Sequence, residues 1–440
     1  GLTKGVRDAS PYQLKAIYYP TTNTGYWFGD SDSYSSYGMV KKVMMNRSMT
    51  STGTDTAEGA VSKGTMSTQT VYNYPATASN LTSAPQYTTK TESWYGSDTG
   101  TAVTSYSVNN TASPRTTTVT LPNGTKNKKY SYNNSTWNNG MLYKTEFLSP
   151  TNAVLSKQEM TWALGYKDAP RVTQVLSTDE KNQTKKRTFT YGTYYNQVTW
   201  SYDYGYSNNL LRRSYTTYEN SATYRGTYSG DKWMSGLHIF SLPKTTEVRN
   251  ASNVRQSRTN FTYDGGTMTT RSGVSNFDTV YNTSAYTKKR GNVTSTRTYT
   301  KASNLTGYID YDYTYDVLGN NLTAETNCCQ QMKTTYNSTY KYAYPVSVRR
   351  GAPTGSVANT SSATYDFNTG LIKTSTDYNG RVTTAAYDTI GRPTQVTLPT
   401  LGKTVYTYSP ATLTTTQTAK LSKNTIVSQS TSIVNGRGQA

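Results

Sequence analysis

The residues of this chain that could do chemistry are few and far apart in the sequence. The two cysteines, Cys328 and Cys329, are adjacent, and the single histidine is His238. A Ser-His-Asp or Cys-His site would have to use His238, because the imidazole is the base in both arrangements. His238 lies in segment 235–240, which has strand character, so a partly buried structural histidine is the simpler interpretation. We therefore expect no enzyme activity and no catalytic residue.

The adjacent cysteines fall where a turn is due. Counting 10 or 11 residues from Gly319, the next turn comes at Cys329 or the residue after it. A vicinal disulfide between Cys328 and Cys329 would lock a tight turn in an oxidising compartment, but adjacent cysteines are geometrically strained and no second pair exists. Two free thiols at a turn are the alternative, and both interpretations stay open.

Metal-ligating patterns are equally sparse. Asp30 and Asp32 suggest calcium, but the glycine and glutamate that an EF-hand loop places at its sixth and twelfth positions are missing. With one histidine and 25 acidic residues, the sequence predicts no metal site and no cofactor.

A short glycine repeat predicts the secondary structure of the chain. Glycines recur at Gly370, Gly380, Gly391 and Gly402, with spacings of 10, 11 and 11 residues. This period fits one strand plus one tight turn. Asn or Asp before Gly is typical of primed hairpin turns, and the flanking Thr, Val and Tyr favour strands. The pattern predicts an all-β protein, a repetitive antiparallel β-hairpin strip.

The repeat carries a family resemblance. Tyr-Asp-x-x-Gly-Arg at 387–392, with weaker copies at 315–320 and 377–381, resembles the YD repeat of bacterial RHS proteins, toxin-complex shell proteins and teneurins. More degraded copies occur at 263–266, 202–205 and 130–133. The resemblance implies a long strip of hairpins that spirals into a hollow shell.

Two sets of positions are expected to matter in this strip. The turns should depend on four glycines, and tyrosine rings should act as stacking anchors. The glycines are Gly319, Gly370, Gly380 and Gly391, and the tyrosines are Tyr315, Tyr365 and Tyr387.

The composition also favours a thin sheet over a compact core. Hydrophobic residues make up 33% of the 440, and 42 residues are tyrosines, whose rings bury area while their hydroxyls stay hydrated. Ladders of Tyr and Thr across strands suit a sheet with water on both faces.

The sequence offers no clear linker at which to divide the chain. Residues 1–120 read as an irregular β lead-in and residues 121–440 as the hairpin array, with one continuous domain over 1–440 as the alternative. No apolar run approaches the roughly 18 residues of a membrane span. Because residue 1 is not Met and 435–437 reads as the start of another turn, we expect a piece of a longer polypeptide.

The formal net charge of +20 favours anionic partners such as cell-surface polysaccharide. Lys and Arg come as dispersed pairs and triplets without a nucleic-acid-binding motif, so no specific nucleic acid is predicted and solvated sheet faces explain most of the charge. The other expected partners are the parent polypeptide and further copies of the chain.

These observations lead to a functional hypothesis. The chain is interpreted as a non-enzymatic structural segment of a large secreted or cell-surface RHS-repeat protein, and the resemblance implies a wall that encloses or presents a toxin or effector. One alternative is a self-assembling extracellular fibre or tube subunit. Another is a carbohydrate-binding surface scaffold with aromatic rings along one solvent-facing stripe.

Overall fold

The computed structural model describes most of the chain. The described residues are 14–34, 39–51, 61–75, 87–96, 101–193, 195–229, 232–234, 236–274, 289–327, 330–352, 358–422, 424–437 and 439. They form one 28-stranded antiparallel sheet and a separate two-stranded hairpin. The prediction of an all-β antiparallel hairpin strip is confirmed.

The first half of the chain contributes fourteen strands. They are β1 (Ala16–Tyr19), β2 (Thr24–Trp27), β3 (Lys42–Arg47), β4 (Thr65–Asn73), β5 (Thr89–Trp94), β6 (Thr101–Asn109), β7 (Arg115–Thr120), β8 (Lys126–Ser131), β9 (Leu142–Leu148), β10 (Val154–Leu164), β11 (Pro170–Asp179), β12 (Thr184–Tyr191), β13 (Val198–Tyr204) and β14 (Leu210–Tyr218).

The second half holds the remaining strands and one short α-helix, α1 (Ala222–Arg225), among the described residues. The strands are β15 (Thr227–Ser229), β16 (Lys232–Met234), β17 (Pro243–Asn250), β18 (Arg255–Tyr263), β19 (Val293–Lys301), β20 (Thr306–Tyr315), β21 (Asn321–Thr326), β22 (Gln331–Tyr336), β23 (Pro345–Gly351), β24 (Ala358–Tyr365), β25 (Ile372–Thr376), β26 (Val382–Tyr387), β27 (Pro393–Thr397), β28 (Lys403–Ser409), β29 (Thr414–Lys420) and β30 (Ile426–Ile433). Single 3-10 turns lie at Tyr166–Asp168 and Ser338–Tyr340.

Strand pairing follows the order of the chain. Consecutive strands pair antiparallel, as in the β1–β2, β11–β12, β19–β20 and β28–β29 hairpins. The exception is β14, which pairs with β17, so that α1 and the β15–β16 hairpin form an excursion from the sheet. Apart from this excursion, the sheet is a meander in which each strand contacts its neighbours in sequence.

Polar side chains hold much of this sheet together. The buried hydrophobic cluster is small and consists of Trp27, Met44 and Met49. Threonine hydroxyls on paired strands form hydrogen bonds instead, and such cross-strand pairs stabilise a sheet whose faces contact water. Examples are Thr178 with Thr184, Thr259 with Thr298, Thr314 with Thr323, Thr364 with Thr374, and Thr416 with Thr431.

By its internal contacts the chain forms two units, residues 1–157 with 385–440, and residues 158–384. In the first unit, Arg47 Nε donates to the Ala411 carbonyl at 2.8 Å, and Gly436 N donates to the Tyr95 carbonyl at 2.9 Å. Segments from both ends of the chain therefore meet within that unit. The sequence-based boundary between residues 120 and 121 stays a prediction.

Among the described residues, no helix combines the length and apolar character needed to cross a membrane.

Candidate functional site

An aspartate caps the same turn at several points along the strip. In each copy, one carboxylate oxygen accepts the backbone N–H groups of the residues two and four positions later, at 2.9 to 3.1 Å. Charge-assisted bonds of this kind satisfy turn amides that the strand ladder leaves unpaired. The four aspartates are Asp179, Asp316, Asp377 and Asp388.

The turn itself differs from the primed hairpin turn that the sequence suggested. In the turn at 377–381, Gly380 has φ +75°, whereas Asn379 is not among the residues with positive φ. Gly380 N donates to the Asp377 carbonyl, and Asp377 N donates to the carbonyl of Arg381. This is a type I turn followed by one left-handed residue, which needs a single glycine where a type I′ turn needs two left-handed residues.

The four glycines expected at turns all adopt positive φ: +89° at Gly319, +72° at Gly370, +75° at Gly380 and +84° at Gly391. Gly402 does not. In that turn the left-handed residue is Leu401, with φ +65°. Gly402 therefore keeps the spacing of the glycine repeat, but it does not occupy the left-handed position of its turn.

Tyrosine hydroxyls tie the end of one strand to the start of its partner. Six tyrosines next to or at a strand end donate to a main-chain carbonyl on the preceding strand. The pairs are Tyr191 with Val172, Tyr218 with Val198 (2.9 Å), Tyr263 with Pro243 (2.6 Å), Tyr315 with Val293 (2.9 Å), Tyr365 with Pro345 (2.7 Å) and Tyr408 with Pro393 (2.8 Å). We call these contacts tyrosine clips.

A Thr-Tyr dipeptide marks all six clips. The register shifts between Thr262 and Tyr263, and likewise between Thr314 and Tyr315, in the pairing with the following strand. A bulge re-aims a side chain relative to the regular alternation. Burial raises the pKa of Tyr263 to about 12, which further favours the protonated hydroxyl that donates in the clip.

The predicted tyrosine anchors have different contacts. Tyr365 has its clip and also packs its ring against Tyr344, with centroids 5.1 Å apart, and against Tyr340 at 5.5 Å. Tyr315 has a clip to Val293. The stacking role of Tyr387 stays a prediction.

One Asp-capped turn is buried beneath another segment. Asp316 is fully buried, and its second carboxylate oxygen accepts from Arg271 Nε at 2.9 Å and from Asn320 Nδ2 at 3.0 Å. Thr269 forms a parallel bridge with Asp316, so the segment that carries Arg271 covers the turn. This Asp-capped turn is thus also a tertiary contact.

A second constellation, on strands β13, β14, β17 and β18, was not anticipated from the sequence. Residues that oppose one another across these strands form two neighbouring rows on one sheet face. The first row is Trp200, Tyr215, Glu247 and Arg258, and the second is Tyr202, Arg213, Arg249 and Arg255. We call these eight residues the arginine patch.

Three guanidinium groups of the arginine patch converge on Glu247. The Glu247 side chain is 2% exposed, while those of Arg249, Arg255 and Arg258 are 20–25% exposed. Arg249 contacts one carboxylate oxygen through Nε (2.8 Å) and Nη2 (2.5 Å). The other oxygen accepts from Arg255 Nε at 2.9 Å and from Arg258 Nη1 at 3.1 Å.

The arginines keep this carboxylate ionised. Burial opposes ionisation of Glu247, but hydrogen bonds and charges from Arg249 and Arg255 outweigh it and hold the pKa of Glu247 below its ordinary value of 4.5. One carboxylate thus faces several permanent cations.

Some sequence-based interpretations differ from the structure. Asp203, assigned to a degraded repeat turn, lies inside strand β13 and forms ion pairs with Arg187 and Arg212. The turn there begins at Gly205 instead. His238 is exposed and outside the strands, with φ +56°, so the interpretation as a partly buried strand histidine is wrong.

Asp30, which the sequence suggested as a calcium ligand, contacts protein donors. The Asp30 carboxylate accepts from Lys63 Nζ (2.7 Å) and Trp27 Nε1 (2.9 Å) and pairs with Lys42 Nζ at 3.0 Å. In the described part of the chain, no group of three or more His, Cys, Asp or Glu side chains could hold a metal ion. The predicted turn and disulfide at Cys328 and Cys329 lie outside the described residues.

No protein-family model and no curated protein matches this chain. Solved structures are similar over most of its length. The crystal structure of TcdB2-TccC3 without its hypervariable C-terminal region is 10% identical, with a TM-score of 0.43 over 87% of this chain and 25% of that chain. A second crystal structure of TcdB2-TccC3 gives the same identity and TM-score, with 92% and 28% covered.

A third similar structure is the Photorhabdus luminescens Tc holotoxin pore, at 10% identity and a TM-score of 0.32, with 95% of this chain and 21% of that chain covered. The chain thus spans about a quarter of the length of these solved chains. With TM-scores this low, the likenesses establish neither family nor activity for this chain.

Proposed function

We propose that this chain is a non-enzymatic structural segment of a larger secreted or cell-surface protein of the RHS-repeat type. In that protein it forms part of a β-wall that encloses or presents a toxin or effector. One observation carries the proposal: a single meander of 28 strands, whose repeated turns are capped by aspartate and whose strand ends are tied by tyrosine clips.

A wall one sheet thick must hold many strands in register without a large buried hydrophobic core. Each clip fixes the start of one strand to the end of the next, and each capping aspartate fixes the following turn. Both devices use hydrogen bonds within one hairpin or its turn, so a thin sheet keeps its register without the thick core of a compact domain.

Negative-stain and cryo-electron microscopy of the purified chain at neutral pH test the proposal. Discrete particles with a central cavity are the expected result, and a longer parent polypeptide should give the same particles with density inside. Solid particles or filaments with a regular axial repeat would overturn the wall function.

The fibre alternative rests on a different observation. All eight residues of β30 are exposed, including Val427 and Ile433 at 58% and 67%. An uncharged exposed strand of this kind is a template for pairing with another chain. The fibre alternative would be supported if the chain forms filaments, the Val427→Lys variant does not, and the control variant Val382→Lys in β26 still does.

The carbohydrate-binding alternative and the anionic polysaccharide partner stay predictions. Retention of the chain on immobilised acidic polysaccharide at physiological salt, and its release by the same polysaccharide in solution, would support them.

A further inference from the structure

The arginine patch has more cationic groups than its own acceptors can neutralise. Four guanidinium groups and one carboxylate leave three positive charges in excess on eight side chains of one sheet face. The neighbouring pair on the same face, Arg297 with Asp310, balances its charges by itself. This pair therefore supplies no carboxylate to the patch.

Hydrogen bonding shows the same imbalance. The buried Nε of Arg213 makes no hydrogen bond to any residue that the structure describes, while Nη2 of Arg213 donates to the Ala251 carbonyl at 3.1 Å. Arg213 lies directly opposite Arg249 across β14 and β17. Like charges in this position destabilise a sheet unless an anion lies between or above them.

The patch already binds one carboxylate of the chain itself. The Glu247 carboxylate takes two donors from Arg249 and one each from Arg255 and Arg258. A guanidinium has five N–H donors, and besides Glu247 one donor each of Arg249, Arg255 and Arg258 is taken by Asn253 Oδ1, the Ala302 carbonyl and Asn260 Oδ1. The remaining donors of the three side chains can serve other acceptors. Since the tips of these side chains reach solvent, further carboxylates can approach from outside.

We propose that the arginine patch is a docking surface for an acidic polypeptide segment, whose carboxylates are bound by Arg213, Arg249, Arg255 and Arg258. The segment belongs to a separate partner polypeptide. The net charge of +20 makes a second copy of this chain a poor ligand, because the two copies repel each other.

The aromatic side chains favour a polypeptide over a sugar polymer as the ligand. Sugar rings are bound by open aromatic faces, but the Trp200 ring is surrounded by patch residues. Tyr215 lies 4.3 Å and Tyr202 6.0 Å from it between ring centroids, and the Arg249 guanidinium lies 5.4 Å from its centroid. These rings stiffen the arginines, which are the ligand-binding groups.

A direct test measures the binding of a fluorescein-labelled oligoglutamate peptide to the whole chain by anisotropy, at low and physiological salt. Arg213→Gln is the informative variant, because Arg213 does not contact Glu247 and its loss leaves that buried carboxylate paired. We expect it to weaken binding about fivefold or more, since hydrogen bonds to charged groups contribute on the order of a kcal/mol or more.

Arg212→Gln is the matched control. Arg212 is adjacent to Arg213 in β14 but points to the opposite face, where it pairs with Asp203. We expect this variant to bind as the unsubstituted chain does. Far-ultraviolet circular dichroism of both variants is the check that they are folded.

Three results would overturn the proposal. The first is no binding of oligoglutamate, and the second is equal weakening by the two substitutions, which would indicate general charge attraction. The third is tighter binding of polyuronate than of oligoglutamate, with the same dependence on Arg213, which would assign the patch to an acidic polysaccharide. The proposal does not depend on the wall function, because it concerns one face of four strands.

Discussion

Replacing the buried turn aspartate, Asp316, should locally unfold the hairpin that it caps. Asp316→Ala removes the acceptor of the Leu318 and Asn320 amides and the partner of Arg271 at once. Breaking a buried ion pair by removing one partner costs about 3–5 kcal/mol. Asp316→Asn retains an oxygen for the two amides and loses the charge, so about 2 kcal/mol is expected.

Hydrogen exchange measured by mass spectrometry is the suitable assay, because a long strand array does not have to unfold in one step. Peptides that cover β20, the turn at 316–320 and β21 report the local free energy of opening. A loss of about 3–5 kcal/mol corresponds to exchange that is faster by roughly two to four orders of magnitude. The peptides over β7 and β8, far away in sequence, should exchange as before.

Asp388 supplies the matched control for this experiment. It has the same two amide contacts and pairs with Arg392, but both side chains of that pair are partly exposed. Since water and salt screen exposed ion pairs, Asp388→Ala should accelerate exchange far less. Equal effects of the Asp316 and Asp388 substitutions would refute the argument that burial gives the first turn its stability.

Three further outcomes are expected. Tyr263→Phe, which removes the hydroxyl of a clip, should lower the local stability of the β17–β18 hairpin by about 1 kcal/mol in hydrogen exchange, whereas Tyr311→Phe at an exposed position should not. Gly319→Ala should cost about 1–2 kcal/mol through backbone strain alone, because no atom lies within 4 Å of the added methyl group, and Gly402→Ala, with no positive φ, should cost less. Because the pKa of Glu247 is lowered on folding, its ionised form stabilises the fold fully above about pH 4.5, and this stabilisation is lost as the pH falls through the lower pKa of the folded state. Glu247→Gln should therefore remove this part of the acid destabilisation. A melting temperature with the same pH profile in Glu247→Gln as in the unsubstituted chain would contradict the prediction.

The sequence was sufficient for the fold class because hairpin geometry is local. Glycines every 10 or 11 residues and Thr- and Tyr-rich segments between them specify strands, turns and nearest-neighbour pairing. The same local signal misplaced Asp203, since Tyr-Asp-x-Gly occurs there inside a strand and the turn begins at Gly205. Asp179 was missed because Asn182, with φ +60°, replaces the glycine of the motif.

The arginine patch could not be found from the sequence because it depends on register. Glu247 and Arg258 oppose each other only in the observed pairing of β17 with β18. A bulge at Arg249 shifts the register, so that Arg249 pairs with Arg255 and both join the same face. A one-residue slip would send one strand's residues to the other face, and composition and spacing do not determine which register is adopted.

The tyrosine clips bear on how this chain is made. The Tyr365 hydroxyl finds its acceptor only 20 residues back, at Pro345, and the strand pairing is between neighbours in the sequence. Such short-range contacts favour rapid formation, and a nascent chain leaves the ribosome slowly by comparison. Each hairpin can therefore close as soon as its second strand has been synthesised, using the hairpin before it as a template. The strip would then be assembled during translation, in the order in which it is encoded.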